Sequence, residues 1–172
     1  LSVDADPSPN VELLTSPAHG QYFSKFDPDG NLIWSKAIGA IGQYGGPLSI
    51  TSVGGGAVLL SGTFSGTVDF DPSANLAQMT APAITTDEFV AKYDPAGSFI
   101  WAKRLNVLEN PYGLHTLEME ADVDGSFVVL GSYLGSYADV DPGAGVVLLP
   151  PTGDQNSAYL ARFSFDGDLI WA

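Results

Sequence analysis

Cysteine is absent from this chain, and lysine and arginine together supply only 6 of its 172 residues. Without cysteine there is no disulfide framework and no cysteine metal cluster, and a cytosolic and an exported chain are equally compatible with that lack. The shortage of cations matters more. Against 20 acidic residues it leaves a net charge of −14, the wrong sign for nucleic acid as a partner and for an anionic membrane surface. Divalent cations and basic surfaces remain. No stretch approaches the roughly 18 apolar residues of a transmembrane helix, so no membrane insertion is expected. The opening "LSVDADPSPN" has neither the basic nor the apolar region of a signal peptide; an exported protein would therefore be represented here by a mature chain or a piece of one. No segment carries a capped helical stripe over ten residues, and there is no nucleophile elbow, phosphate loop or HExxH.

What the chain has in quantity is glycine (20), proline (12) and hydrophobic residues (45%). That composition suits short strands joined by tight turns. It also repeats itself. "YFSKFDPDGNLIWSK" (22–36), "FVAKYDPAGSFIWAK" (89–103) and "YLARFSFDGDLIWA" (159–172) are one phrase written three times, with Trp34, Trp101 and Trp171 spaced 67 and 70 residues apart. A second phrase recurs as "SVDADPSPN" (2–10), "TVDFDPSAN" (67–75) and "YADVDPGAG" (137–145). A third appears twice, at 48–66 and 117–135, matching Leu48 with Leu117, Gly62 with Gly131 and Phe64 with Tyr133. The chain therefore divides into a partial repeat (1–39) and two complete ones (40–106 and 107–172).

Each unit reads as about six short strands. In "EFVAKYD" the period of two puts Phe89, Ala91 and Tyr93 on one face and Val90 and Lys92 on the other. In "SFIWAKR" it groups Phe99, Trp101 and Lys103 against Ile100, Ala102 and Arg104. The intervening Asp94-Pro95-Ala96-Gly97 has the residues of a type I turn, with a left-handed glycine making a hairpin with a bulge. Asp27-Pro28-Asp29-Gly30 and Ser164-Phe165-Asp166-Gly167 are its counterparts, and Asp124-Gly125 marks a further hairpin. The three tryptophans are expected to fill one interlayer slot, each burying about 150–250 Å². The reading is all-β, with tandem antiparallel, propeller-like blades.

The pattern F-V-x-K-Y-D-x-x-G-x-x-x-W-x-K, with the glycine-hinged "G-x-F-x-G-x-x-D-F-D-P", resembles the bacterial secreted β-propeller repeat (SBBP) family. The resemblance implies antiparallel blades of about four strands, export, and a role in adhesion or envelope structure. The third hairpin departs from the pattern at Ser164-Phe165, and the first unit is incomplete.

The candidate ligand residues are the paired aspartates Asp4 and Asp6, Asp69 and Asp71, and Asp139 and Asp141. On a strand, positions i and i+2 point to one side about 7 Å apart, and like charges so placed call for a cation. Asp69, Asp71, Ser73 and Asn75, like Asp4, Asp6, Ser8 and Asn10, resemble the front half of a calcium loop, although no glycine follows at position six and no glutamate at position twelve. The competing partner is internal: Lys25, Lys92 and Arg162 form one equivalent set of cations, Lys36 and Lys103 another, and repeated ion pairs would serve instead. His19 and His115 occupy non-equivalent places, and the pairs Asp122/Asp124 and Glu118/Glu120 are expected on solvent faces, so no catalytic residue is assigned.

Three function classes follow: a non-enzymatic structural or adhesive module of a bacterial surface or extracellular protein, a module binding a carbohydrate or protein ligand, and a propeller hydrolase. Repetition favours the first. The expected partners are other repeats or copies of the same protein, joined head to tail in a filament or ring through terminal strand edges, with residues 1–6 and 168–172 pairing outside the chain or with its far end.

Overall fold

The structure, a computed structural model, describes residues 2–15, 20–40, 45–81, 86–107, 114–135, 137–150 and 153–172. The first unit contributes β1 (Ser2–Asp4), β2 (Leu13–Thr15), β3 (Gly20–Phe26) and β4 (Leu32–Ala40). The second has six strands: β5 (Gly46–Val53), β6 (Ala57–Phe64), β7 (Gly66–Asp69), β8 (Gln78–Ala81), β9 (Asp87–Tyr93) and β10 (Phe99–Val107). The third repeats them as β11 (Leu114–Ala121), β12 (Phe127–Gly135), β13 (Ala138–Asp139), β14 (Leu148–Leu149), β15 (Gly153–Phe163) and β16 (Leu169–Trp171). The fold is all-β and propeller-like. In each complete unit four strands form an antiparallel blade, β5-β6-β9-β10 and then β11-β12-β15-β16; the side hairpin β7–β8 stands apart, whereas β13–β14 of the third unit extends the second unit's sheet beyond β10, in the order β14-β13-β10-β9-β6-β5. The first unit holds the corresponding last two strands, β3–β4, and its side hairpin β1–β2.

The blades stack through two cores. Phe89, Ala91 and Tyr93 join Phe23 and Ile38 of the first unit, whereas Val90 joins Leu59, Phe127, Val129, Ala161 and Phe163 between the second unit and the third. All of β9 is buried for that reason: each face of the strand is covered by a different neighbour, and the alternation read from "EFVAKYD" sorts its residues between two interfaces.

The hairpin turns are as the sequence predicts. Gly97 N–H donates to Asp94 O at 2.9 Å, and Asp94 N–H to Ser98 O at 2.8 Å; Gly97 sits at φ +78°, a conformation that suits glycine. The same pair of bonds closes the turns at Asp27, Asp122 and Ser164. The bulge corrects the reading of "SFIWAKR". Phe99 lies opposite Tyr93 and Trp101 opposite Lys92, leaving Ile100 as the extra residue. Phe99 therefore packs in the first core and Trp101 in the second, on opposite faces, because one inserted residue reverses the alternation beyond it. Ile33, Ile100 and Ile170 occupy this bulge in the three units, and all three are exposed.

The terminal segments pair locally. β1 pairs with β2 along one edge and β16 with β15. Among the described residues no helix is long and apolar enough to cross a membrane.

Candidate functional site

The residues that recur from unit to unit converge on the seams between units. At the first seam the Lys25 ammonium donates to Pro95 O at 3.5 Å and to Gly56 O at 3.3 Å, and Trp34 Nε1 donates to Pro95 O at 2.9 Å. At the second, the buried Lys92 donates to Phe165 O at 2.9 Å with its ammonium over the Phe165 ring. Pro95 and Phe165 are equivalent turn residues, so one lysine in each of the first two units caps the hairpin of the next. Burial pulls the Lys92 pKa below its ordinary value, with Asp166 opposing the shift. The turn glycine completes the contact. A Cβ on Gly97 would stand 3.1 Å from the Trp34 ring, and one on Gly167 2.9 Å from the Trp101 ring, so glycine is what lets the tryptophan lie against the turn. Trp34 and Trp101 thus share the slot expected of them. Trp171 does not; the residue is 44% exposed.

The cations whose partners are seen meet groups other than the repeated aspartates. Lys25 and Lys92 meet carbonyls, Lys103 pairs with Asp168 at 2.6 Å, and Arg162 with Asp122 at 3.2 Å. Arg104 Nε meets the buried Asp87 at 2.8 Å, where burial raises the carboxyl pKa against the pull of the guanidinium.

The paired aspartates belong to the side hairpins, and strand geometry does not hold there. Asp69 ends β7, and its Oδ1 accepts the amides of Asp71 at 3.1 Å and Ala77 at 2.9 Å. Asp71 Oδ1 then accepts Ser73 N–H at 2.8 Å, and Ser73 Oγ accepts Asn75 N–H at 3.1 Å. Asp4, Asp6 and Ser8 build the same ladder. Asp139 and Asp141 build its first three rungs and end at Gly143. The spacing at i, i+2 is that of successive turns in which a short polar side chain takes the amide two residues on. One oxygen of each carboxylate is committed in this way. Among the described residues no three His, Cys, Asp or Glu side chains gather as a metal site, whereas calcium takes six to eight oxygens. The Asp69–Asp71 loop also borders Tyr93, whose hydroxyl donates to Phe70 O at 3.0 Å and whose pKa is raised by burial and by these two carboxylates.

The hairpins β7–β8 and β13–β14 lie at the seams too. β13 pairs with β10 through Asn106 and Asp139, and Asp69 N lies 3.1 Å from where a Cβ of Gly39 would be, Gly39 being the counterpart of Asn106.

Of the remaining candidates, Glu118 and Glu120 are exposed on β11. Asp122 and Asp124 lie in the β11–β12 turn and not on a strand; Asp124 accepts both the amide and the hydroxyl of Ser126 at 2.9 and 2.6 Å, which lowers its pKa. The backbone of His115 pairs with Ser132 on β12, and His19 lies outside the described residues.

Stacked four-stranded antiparallel blades with recurring seam contacts define a propeller-like repeat protein. In keeping with that class, the chain is 28% identical over 126 residues to an uncharacterised WD repeat-containing protein of Acanthamoeba polyphaga mimivirus, a match spanning 72% of this chain and 9% of that protein. No family model matches the chain, and no solved structure matches it.

Proposed function

We propose that this chain is a non-enzymatic structural or adhesive repeat module of an exported bacterial surface or extracellular protein of the SBBP type. The observation supporting this reading is where the recurring side chains go: Lys25 and Lys92, Trp34 and Trp101, the turn glycines and the side-hairpin aspartates serve seams or turns. An active site needs one asymmetric constellation, whereas a scaffold reuses one contact. The test is accessibility on intact source cells producing the full-length protein with an epitope at the exposed Asp122–Asp124 segment. Added protease should remove the epitope without lysis; removal only after lysis would overturn export.

A ligand-binding role is the second reading. It is favoured by a cavity of about 310 Å³ between the first two units, lined by Trp34, Ile50, Val58 and Lys25. Retention of a carbohydrate or peptide on an array by the chain, and its loss in Trp34→Ala, would support it. Calcium held by the uncommitted oxygens of the side-hairpin aspartates belongs to the same proposal as a stabilising ion.

A further inference from the structure

We propose that the crevice where β4 meets the side-hairpin loop and the β9–β10 turn of the second unit binds one residue of a neutral carbohydrate. This goes beyond the readings above by assigning a site and a ligand class. The crevice shares no lining residue with the cavity bordered by Trp34, and binding there does not depend on export.

Three segments meet there, Lys36 of β4, the loop 71–75 between β7 and β8, and Ser98 with Phe99 at the end of the turn, around a volume of about 290 Å³, close to the lower end of small-ligand sites. The loop and the turn belong to the complete second unit, and β4 is paired along its length with β3, so the walls have their strand neighbours in place. They are also fixed. Ser73 N–H donates to Asp71 Oδ1 at 2.8 Å, Asn75 N–H to Ser73 Oγ at 3.1 Å and Ser98 N–H to Asp94 Oδ1 at 2.8 Å. A Cβ on Gly97 would stand 2.9 Å from Lys36 Cε, so the lysine stem lies along the turn. Ser73, Asn75 and Ser98 are exposed and keep capacity for a ligand. The Ser73 hydroxyl retains its proton, the Asn75 amide both donates and accepts, and the Ser98 hydroxyl, drawn to Asp94, retains its lone pairs.

The second seam shows what is particular to the first. Lys103, the counterpart of Lys36, pairs with Asp168 at 2.6 Å, whereas Ser98 stands at the first seam in the place of Asp168. Gly143 and Gly145 take the places of Ser73 and Asn75, and Leu169 that of Phe99. One position in the fold thus carries an internal ion pair at one seam. At the other it carries a lysine with no ion pair among the described residues, beside three uncharged polar side chains. A contact serving only the stack would be alike at both seams, whereas a site is an exception to the repeat. The walls also set the class of ligand. Lys36 and Asp71 balance in charge, so an ion of either sign meets a like charge, and the net charge of −14 disfavours anions further. Sugar hydroxyls donate and accept together, which matches Ser73, Asn75 and Ser98. Phe99 and Pro72 supply an apolar wall for the C–H face of a sugar ring.

Calorimetric titration of the full chain, in chelator, with the methyl glycosides of glucose, galactose, mannose and N-acetylglucosamine tests this. At least one should bind with a Kd of about 1 mM or tighter. Ser98→Asp rebuilds at the first seam the ion pair of the second, and Ser73→Gly with Asn75→Gly rebuilds the loop of the third unit. Each change should weaken binding by roughly tenfold. Both install residues that the protein already carries at equivalent positions, and a circular dichroism melt no lower than that of wild type for Ser98→Asp separates lost binding from lost folding. Ile50→Ser, on the wall of the Trp34 cavity, should leave the affinity unchanged. No glycoside binding at about 10 mM, an affinity that survives either change at the crevice, a loss with Ile50→Ser, or binding of glycine or inorganic phosphate in place of the glycosides would each overturn the proposal. The protease result bears on none of these outcomes, and a ligand held at the Trp34 cavity is told apart by the Ile50→Ser arm.

Discussion

Gly62 lies opposite Phe89, and Gly131 opposite Tyr159, across the second and third strands of successive blades. A Cβ on Gly62 would stand 2.8 Å from Phe89 Cε1, and one on Gly131 would run into the Tyr159 ring. In both blades the ring lies over the glycine and covers backbone that glycine alone would leave bare. The repeat comparison matched Gly62 with Gly131 from sequence, yet its cause stayed hidden because the aromatic partner sits on another strand. The turn aspartates were more legible, since their bonds are local. Asp94 accepts the amides of Ser98 and Ala96, both at 2.8 Å, and these bonds hold its pKa below 3.8. A carboxyl lowered in the folded state stabilises it above the unfolded pKa, and that contribution disappears as pH falls through the folded value. The melting temperature of Asp94→Asn, which keeps an acceptor oxygen without the charge, should consequently fall less than that of wild type between about pH 5 and about pH 2. Parallel acid limbs in the two proteins would refute the assignment. Asp27 and Asp124 are lowered by bonds of the same kind, so one substitution should flatten only part of the limb.

Among the elements, the hairpins were readable and their faces were not. Turn chemistry at Asp94–Gly97 announces both the hairpin and its bulge, but the consequence, that Phe99 and Trp101 face opposite cores, depends on which residue the bulge extrudes. The side hairpins show a related dependence on local geometry. Alternating oxygens at Asp69, Asp71, Ser73 and Asn75 look like ligands when placed on a straight strand, whereas the chain bends there to let those oxygens take amides. The two uses are separable by experiment. If the second oxygens hold calcium, chelator should lower the melting temperature, and calcium at about 100 times its Kd should restore about 2.7 kcal/mol of stability. Asp69→Asn with Asp71→Asn should then abolish most of the response, and changes at Asp139 and Asp141 less of it. Identical melting in chelator and in millimolar calcium would leave the amide ladder as the whole role.

At the scale of the molecule, a 67–70-residue period announced stacked units, because residues kept at fixed intervals must meet equivalent neighbours. It did not disclose which residues belong to which seam. That depends on two faces of one strand being covered by different blades, information absent from any single repeat. The arrangement has a thermodynamic consequence. Leu59 of the second unit lies in one core with Phe127, Val129 and Phe163 of the third, so the two units should unfold together as coupled neighbours. Leu59→Ala should cost about 2–5 kcal/mol, as for a fully buried leucine, and should shift a single urea transition seen alike by far-ultraviolet circular dichroism and tryptophan fluorescence. The outward Leu160, on the corresponding face of the third unit, should cost about 0.5 kcal/mol or less on truncation in dilute solution. That contrast assigns the stability to the seam and not to the leucine as such. Two resolved transitions, or equal losses from the two substitutions, would mean that the blades stand independently.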